Sequence, residues 1–246
     1  NEQAWQIDMD TKALQLAFFS PLIESLLEEF NEHLIHAGRA NIQAQFSGIN
    51  TRINDVALNI DIEKLGIEGE NVLDEVALQL QMDIQHQKDS WLFNNSLSLL
   101  AGEMYIQPGI SILGDKPGFY IETSTSPGEL RIKGSWSPEQ SIVELQEFHY
   151  LHPDVFQLQG STRIVFGKEV TLSYLNLHAV VPDLGLSYPV YIQPLLLQTN
   201  FSDLELSGTI DLSLDYQDSK LNTMKLLIED VFLDDTGSRF SLSDLN

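Results

Sequence analysis

The sequence predicts a mainly β protein: a long antiparallel, curved sheet, as an open groove or a sandwich, with one N-terminal amphipathic helix. Three observations lead to this fold class. Long stretches alternate between apolar and polar residues, turn signals separate them, and no helix long enough for a parallel crossover lies between them. The 246 residues are 43% hydrophobic, which is enough for a sizeable core.

The helix is predicted near the N-terminus. Ser20 can cap it, Pro21 suits its first turn, and Gly38 follows its last apolar position. Apolar residues recur at helical spacing, namely Ile23, Leu26, Leu27, Phe30 and Leu34. We therefore assign residues 1–45 to an N-terminal segment whose helix packs on the core or caps one end of the β structure.

Residues 46–246 are predicted to form a β-rich, repeat-like domain of ten to thirteen strands. The clearest strand covers residues 204–216, where every second residue is apolar or glycine and those between are polar, half of them acidic. Residues 56–62 and 72–84 alternate in the same way. These patterns predict strands with one apolar face.

A weak repeat places a glycine inside three of these strands. Gly134, Gly160 and Gly208 each follow an apolar, polar, apolar, polar order of residues. A glycine inside a strand lets a sheet bend or another backbone approach. The repeat therefore predicts corresponding bends along the sheet.

Composition excludes several functions. The chain has 13 Lys plus Arg against 36 Asp plus Glu, a net charge of −23, so its surface repels nucleic-acid phosphates and anionic headgroups. It has no cysteine, which removes disulfides, thiolate metal sites and cysteine nucleophiles. No apolar run is long enough for a spanning helix and no signal peptide is visible. We expect a fragment of a longer protein that lacks its leader or anchor.

Two motifs resemble chemical sites without completing one. Asp235-Thr236-Gly237 is similar to the catalytic loop of aspartic proteases, which need two such carboxylates, and the chain has one. His149 and His152 are spaced i and i+3, which places them on opposite faces of a strand. We therefore predict no enzymatic activity, no cofactor and no metal.

The apolar strand faces are the candidate site. We expect these residues to face a groove or a core: Leu78, Leu80, Met82, Phe156, Leu158, Leu206, Ile210, Leu212 and Leu214. Burial against lipid and burial against a second sheet demand the same alternation. Both interpretations stay open.

The motifs Leu-x-Leu-x-Gly at Leu204–Gly208 and Phe-x-Leu-x-Gly at Phe156–Gly160, and the ending Asp235–Asn246, resemble bacterial AsmA-like, TamB-like and YdbH-like envelope proteins. The resemblance implies a periplasmic β groove that binds phospholipid or acyl chains and transfers them between membranes. It also implies membrane contact through a missing anchor or partner proteins. It identifies no individual site residue.

An alternative function is a soluble all-β envelope module with a closed core that acts through its loops. Its candidate contacts are residues 108–118 and 182–191, where Tyr188 and Tyr191 flank Pro189. The sequence does not predict the oligomeric state.

Overall fold

A computed structural model describes residues 3–19, 34–68, 72–106, 119–122, 128–167, 170–196, 204–235 and 241–245. Its strands are β1 (Ala4–Gln15), β2 (Leu34–Ile49), β3 (Arg52–Glu68), β4 (Val72–Gln87), β5 (Ser90–Ile106), β6 (Phe119–Glu122), β7 (Gly128–Ser137), β8 (Ile142–His152), β9 (Phe156–Phe166), β10 (Val170–Val181), β11 (Leu204–Gln217), β12 (Lys220–Asp235) and β13 (Ser241–Leu245). Leu16–Phe19 forms a 3₁₀ turn. A helical segment comprises α1 (Leu184–Ser187), a π-helical turn (Tyr188–Ile192) and α2 (Gln193–Leu196).

All thirteen strands belong to one antiparallel sheet. Neighbours in the sheet follow the chain order from β1 to β13, except that β6 pairs with β5 beyond the part of β5 that pairs with β7. The predicted strand number and the antiparallel meander are confirmed. Of the two architectures expected, the described strands form the open sheet and not a two-sheet sandwich.

The two ends of the sheet differ. Five connections at one end, which we call the turn end, are short, and examples are those around Asn50 and at Asp218–Ser219. The opposite end, the connection end, carries the 3₁₀ turn and the helical segment. A buried cluster of Leu65, Val76 and Leu99 lies there, with Leu16 packed against it.

The structure does not confirm the predicted N-terminal helix. Residues 20–33 lie outside the described residues, and residues 34–38, its expected last turn, begin β2. Gly38 does not end a helix: it has φ +131° at an irregularity in the β2–β3 pairing, close to the backbone of Leu65. Strands start well before residue 46, since β1 pairs with β2 and β2 pairs in turn with β3.

A helical segment forms where a turn and a contact loop were predicted. Asp183 caps it, and its carboxylate accepts hydrogen bonds from the backbone N–H groups of Gly185 and Leu186. Tyr188 is buried, with 3% of its surface exposed. The Ser187 hydroxyl donates to the Val155 carbonyl, which fixes the segment to the β8–β9 turn. Residues 182–191 are thus packed on the sheet, and residues 107–118 of the other loop lie outside the described residues.

The repeat glycines Gly134, Gly160 and Gly208 occupy crowded positions in their strands. A methyl group on Gly160 would meet the Asn176 carbonyl oxygen and the Phe148 ring. One on Gly134 would meet the Glu144 carbonyl oxygen and a ring carbon of Phe93 at 2.9 Å. In both cases an aromatic ring on the neighbouring strand covers the glycine, next to an irregularity in the strand register.

Candidate functional site

One face of the sheet is apolar across eleven strands. Antiparallel partners share a face, so the strand register defines continuous rows of side chains that cross the sheet. The first apolar row is Met9, Ala44, Leu58, Met82, Asn95, Ile132, Phe148, Gly160, Leu177, Leu214 and Met224. The second apolar row is Thr11, Ile42, Ile60, Leu80, Leu97, Leu130, Tyr150, Leu158, Ala179, Leu212 and Leu226. Neither row contains a charged residue.

The opposite face is polar at the same level. The residues between the two apolar rows form the polar row, which is Asp10, Gln43, Asn59, Gln81, Ser96, Arg131, His149, Gln159, His178, Ser213 and Lys225. All eleven members are hydrophilic. The separation of the two faces therefore holds from edge to edge and is not a property of a few strands.

The apolar rows are only partly covered. Inner members are half-buried, apart from the buried Ala44, and members on the outer strands are more open, with Met9 45%, Met224 56% and Leu226 50% exposed. No second sheet packs on this face within the described residues. The face is an apolar surface that is partly exposed in its middle and open at its edges, and not a sealed core.

All nine predicted site residues lie in strands of this sheet, and none is fully buried. Leu80, Met82, Leu158, Leu212 and Leu214 belong to the two rows. Ile210 lies one position further toward the connection end, between Val181 and Ile228. The remaining three are at that end: Leu78 packs on the buried cluster, Phe156 on Tyr191, and Leu206 pairs with Leu233.

Sequence reasoning missed the contributions of β1 and β2. Trp5, Ile7 and Met9 alternate with Gln6, Asp8 and Asp10, although this alternation is shorter than that of β11. The helix signals downstream obscured it. The alternation alone could have identified this edge of the apolar face.

Asn95 is the polar exception inside the first apolar row. It lies between Met82 and Ile132, and its buried Oδ1 accepts no hydrogen bond from any residue that the structure describes. A buried carbonyl oxygen without a donor costs about 1–3 kcal/mol. Asn95 is thus a hydrogen-bonding group placed within an apolar surface.

A polar cluster closes the connection end of the face. The hydroxyl oxygens of Tyr150 and Tyr191 are 2.5 Å apart, and His152 Nδ1 is 3.0 Å from the Tyr191 hydroxyl. Burial raises the pKa of the Tyr191 hydroxyl above its usual range, and its hydrogen bond with Tyr150 raises it further. This cluster holds the helical segment against the sheet.

The polar face carries open depressions. One of about 600 Å³ is lined by the carboxylates of Asp8 and Asp10 and the amides of Gln43 and Gln45, among others. These groups can hydrogen-bond water or a polar ligand but offer no surface to an acyl chain. The apolar face is more extensive than these depressions, and it is chemically more uniform.

Other polar groups give little sign of catalysis. Arg163 Nη2 and Glu144 Oε2 form a partly exposed ion pair of 2.8 Å, and Tyr174 donates to the same carboxylate. His149 and His152 lie on opposite faces, as their spacing predicted. No cluster of metal-ligating side chains occurs among the described residues, and residues 236–240 of the protease-like motif lie outside them.

Comparison with known proteins supplies no relative. No family model, no curated protein and no solved structure matches the chain. None of the helices in the described ranges is long and apolar enough to cross a membrane.

Proposed function

We propose that the protein is a non-enzymatic component of the bacterial cell envelope that binds lipid acyl chains on its apolar face, for storage or for transfer between membranes. The observation that supports this proposal is the pair of uncharged rows that cross eleven strands, over which no other described part of the chain forms a second layer.

The dimensions suit acyl chains. Neighbouring strands are about 4.8 Å apart, so ten spacings from β1 to β12 extend over about 48 Å. The hydrocarbon core of a bilayer is about 30 Å thick, and the chains of one leaflet take about half of it. The apolar face is therefore long enough for the chains of more than one lipid.

The energetics favour lipids with two chains. Each methylene group removed from water contributes up to about 0.8 kcal/mol, whereas association costs about 4–15 kcal/mol however many groups are buried. For a single acyl chain on an open face, the free energy gained from burying its methylene groups barely exceeds the cost of association. A phospholipid should bind more tightly than a fatty acid.

Native mass spectrometry of the protein purified from a bacterial host tests the proposal, combined with extraction and analysis of co-purifying lipid. We expect about one or more bound phospholipid molecules per protein molecule. We also expect the protein to take up fluorescent phospholipid from vesicles of phosphatidylethanolamine and phosphatidylglycerol. A lipid-free mass together with no uptake from vesicles would refute lipid binding.

A further inference from the structure

Both outer edges of the sheet have unpaired backbone stretches among the described residues. β1 pairs with β2 on its inner side, and no described strand pairs with its other side. β12 pairs with β11, and on its outer side it pairs with β13 only at Val231, Leu233 and Asp234. Residues 220–229 of β12 therefore have no strand partner on the outer side within the described residues. Unpaired strand edges of this length are templates for pairing with another chain.

The two open edges have matching apolar surfaces. Ile7 is 57% and Met9 45% exposed on β1, while Met224 and Leu226 on β12 are 56% and 50% exposed. These side chains belong to the same face of the sheet, because the apolar rows end on Met9 and Thr11 at one edge and on Met224 and Leu226 at the other.

The two edges carry one pair of opposite charges at the same level of the sheet, while Lys12 on β1 and Glu229 on β12 lie at other levels. The polar row begins at Asp10 on β1 and ends at Lys225 on β12. Asp8 lies beside Asp10 on the same face, and Lys220 lies on β12. Two lysines on one edge are notable in a chain with 13 basic against 36 acidic residues. Neither Asp10 nor Lys225 makes an ion pair with another described residue.

We propose that this chain associates head to tail with a second copy of itself, β1 of one copy lying along residues 220–229 of β12 in the next. Ten antiparallel pairings separate β1 from β12, so the two strands run in the same direction and pair in parallel when the copies have the same orientation. At equal levels in the sheet, Met9 lies beside Met224 and Asp10 beside Lys225. The apolar rows then continue from copy to copy.

The symmetric pairing of two β1 edges is less favourable than the head-to-tail contact. Two β1 edges would pair antiparallel, and in the register centred on Met9 each Asp8 would lie opposite Asp10 of the other copy. Like charges directly opposite each other destabilise strand pairs. The head-to-tail contact is heterologous, so it generates an open series of copies and not a closed dimer.

Charge reversal of the purified chain tests this contact by sedimentation velocity over a concentration series. For the unaltered chain, we expect a mass that rises with concentration and passes that of a dimer. Asp10→Lys and Lys225→Glu should each abolish the rise, because each places like charges together. An equimolar mixture of the two variants should restore it, and so should the double variant, since opposite charges face each other again.

Asp83→Lys and Lys133→Glu are the matched controls, because both residues are exposed on the polar face of inner strands. They change the net charge as the test variants do and should leave association unchanged. Four results would overturn the proposal: a monomer at every concentration, association that stops at two copies, test variants that behave like the controls, or a mixture that does not recover.

Discussion

The sharpest test of an open apolar face is a charge placed on it. Leu212 is half-buried in the second apolar row, between Ala179 and the exposed Leu226. In a sealed core, Leu212→Asp would bury an unpaired carboxylate, which costs several kcal/mol and exceeds the effect of most substitutions. On the open face the carboxylate keeps its water, and only the partial burial of leucine is lost.

The expected loss can be estimated. Complete burial of a leucine side chain contributes about 1.5–3 kcal/mol, so the loss for a half-buried one is about 1–2 kcal/mol. Urea unfolding should therefore show a folded, cooperative variant. Phospholipid uptake should fall at least about tenfold, or about 1.4 kcal/mol, because an acyl chain on this row must displace water from the new carboxylate.

Ser213→Asp is the matched control, since Ser213 is the next residue of β11 and belongs to the polar row. It should change neither unfolding nor uptake. Loss of folding in Leu212→Asp would refute the open face, and an unchanged uptake in a folded Leu212→Asp variant would refute lipid binding at this row.

Three further predictions follow from individual contacts. Asn95→Leu removes the unbonded carbonyl oxygen and should raise the free energy of unfolding by about 1 kcal/mol in urea titrations, whereas no gain would mean that the group is satisfied. Gly160→Ala should destabilise by about 1–3 kcal/mol because its methyl group meets Asn176 and Phe148, while Gly128→Ala, whose nearest neighbour would be 3.7 Å away, should be tolerated in the same titrations. The pKa of Tyr191 is raised on folding, so its contribution to stability is complete below pH 10, the ordinary pKa, and falls above it as the unfolded chain ionises. Tyr191→Phe should make the loss of stability above pH 10 smaller in pH-dependent melts, and an unchanged pH profile would contradict this assignment.

Much of the sheet could be predicted from the sequence because alternation is a local signal. Residues 204–216 alternate without interruption, and β11 covers them. The number of strands and their antiparallel order followed from turn signals and from the lack of crossover helices. The prediction for Leu34 and Gly38 was wrong because spacing at i and i+4 was given more weight than the alternation that resumes in β2.

The short helical segment was missed for a different reason. α1 and α2 have four residues each, which is too short for a helical period to show, and Pro182 with Gly185 indicated a turn. Asp183 before Leu184 was the available signal, because an aspartate suits the position before a helix. What stabilises the segment is tertiary: the hydroxyls of Tyr191 and Ser187 bond to β8 and to the β8–β9 turn.

The role of the apolar face could not be predicted from alternation. Alternation indicates that one face of a strand is apolar, but it does not indicate whether protein or lipid covers that face. A covering layer would be formed by another part of the chain. The sequence around Leu80 or Leu212 therefore does not show whether such a layer packs on these residues. The strand order gives more information: it places β1 at one outer edge, leaves the part of β12 that β13 does not cover at the other, and brings Met9 and Met224 to the two ends of one row. Within its own strand, Asp10 is a solvated charge. Its role in the proposed contact with Lys225 of a second copy follows only from the register of the whole sheet.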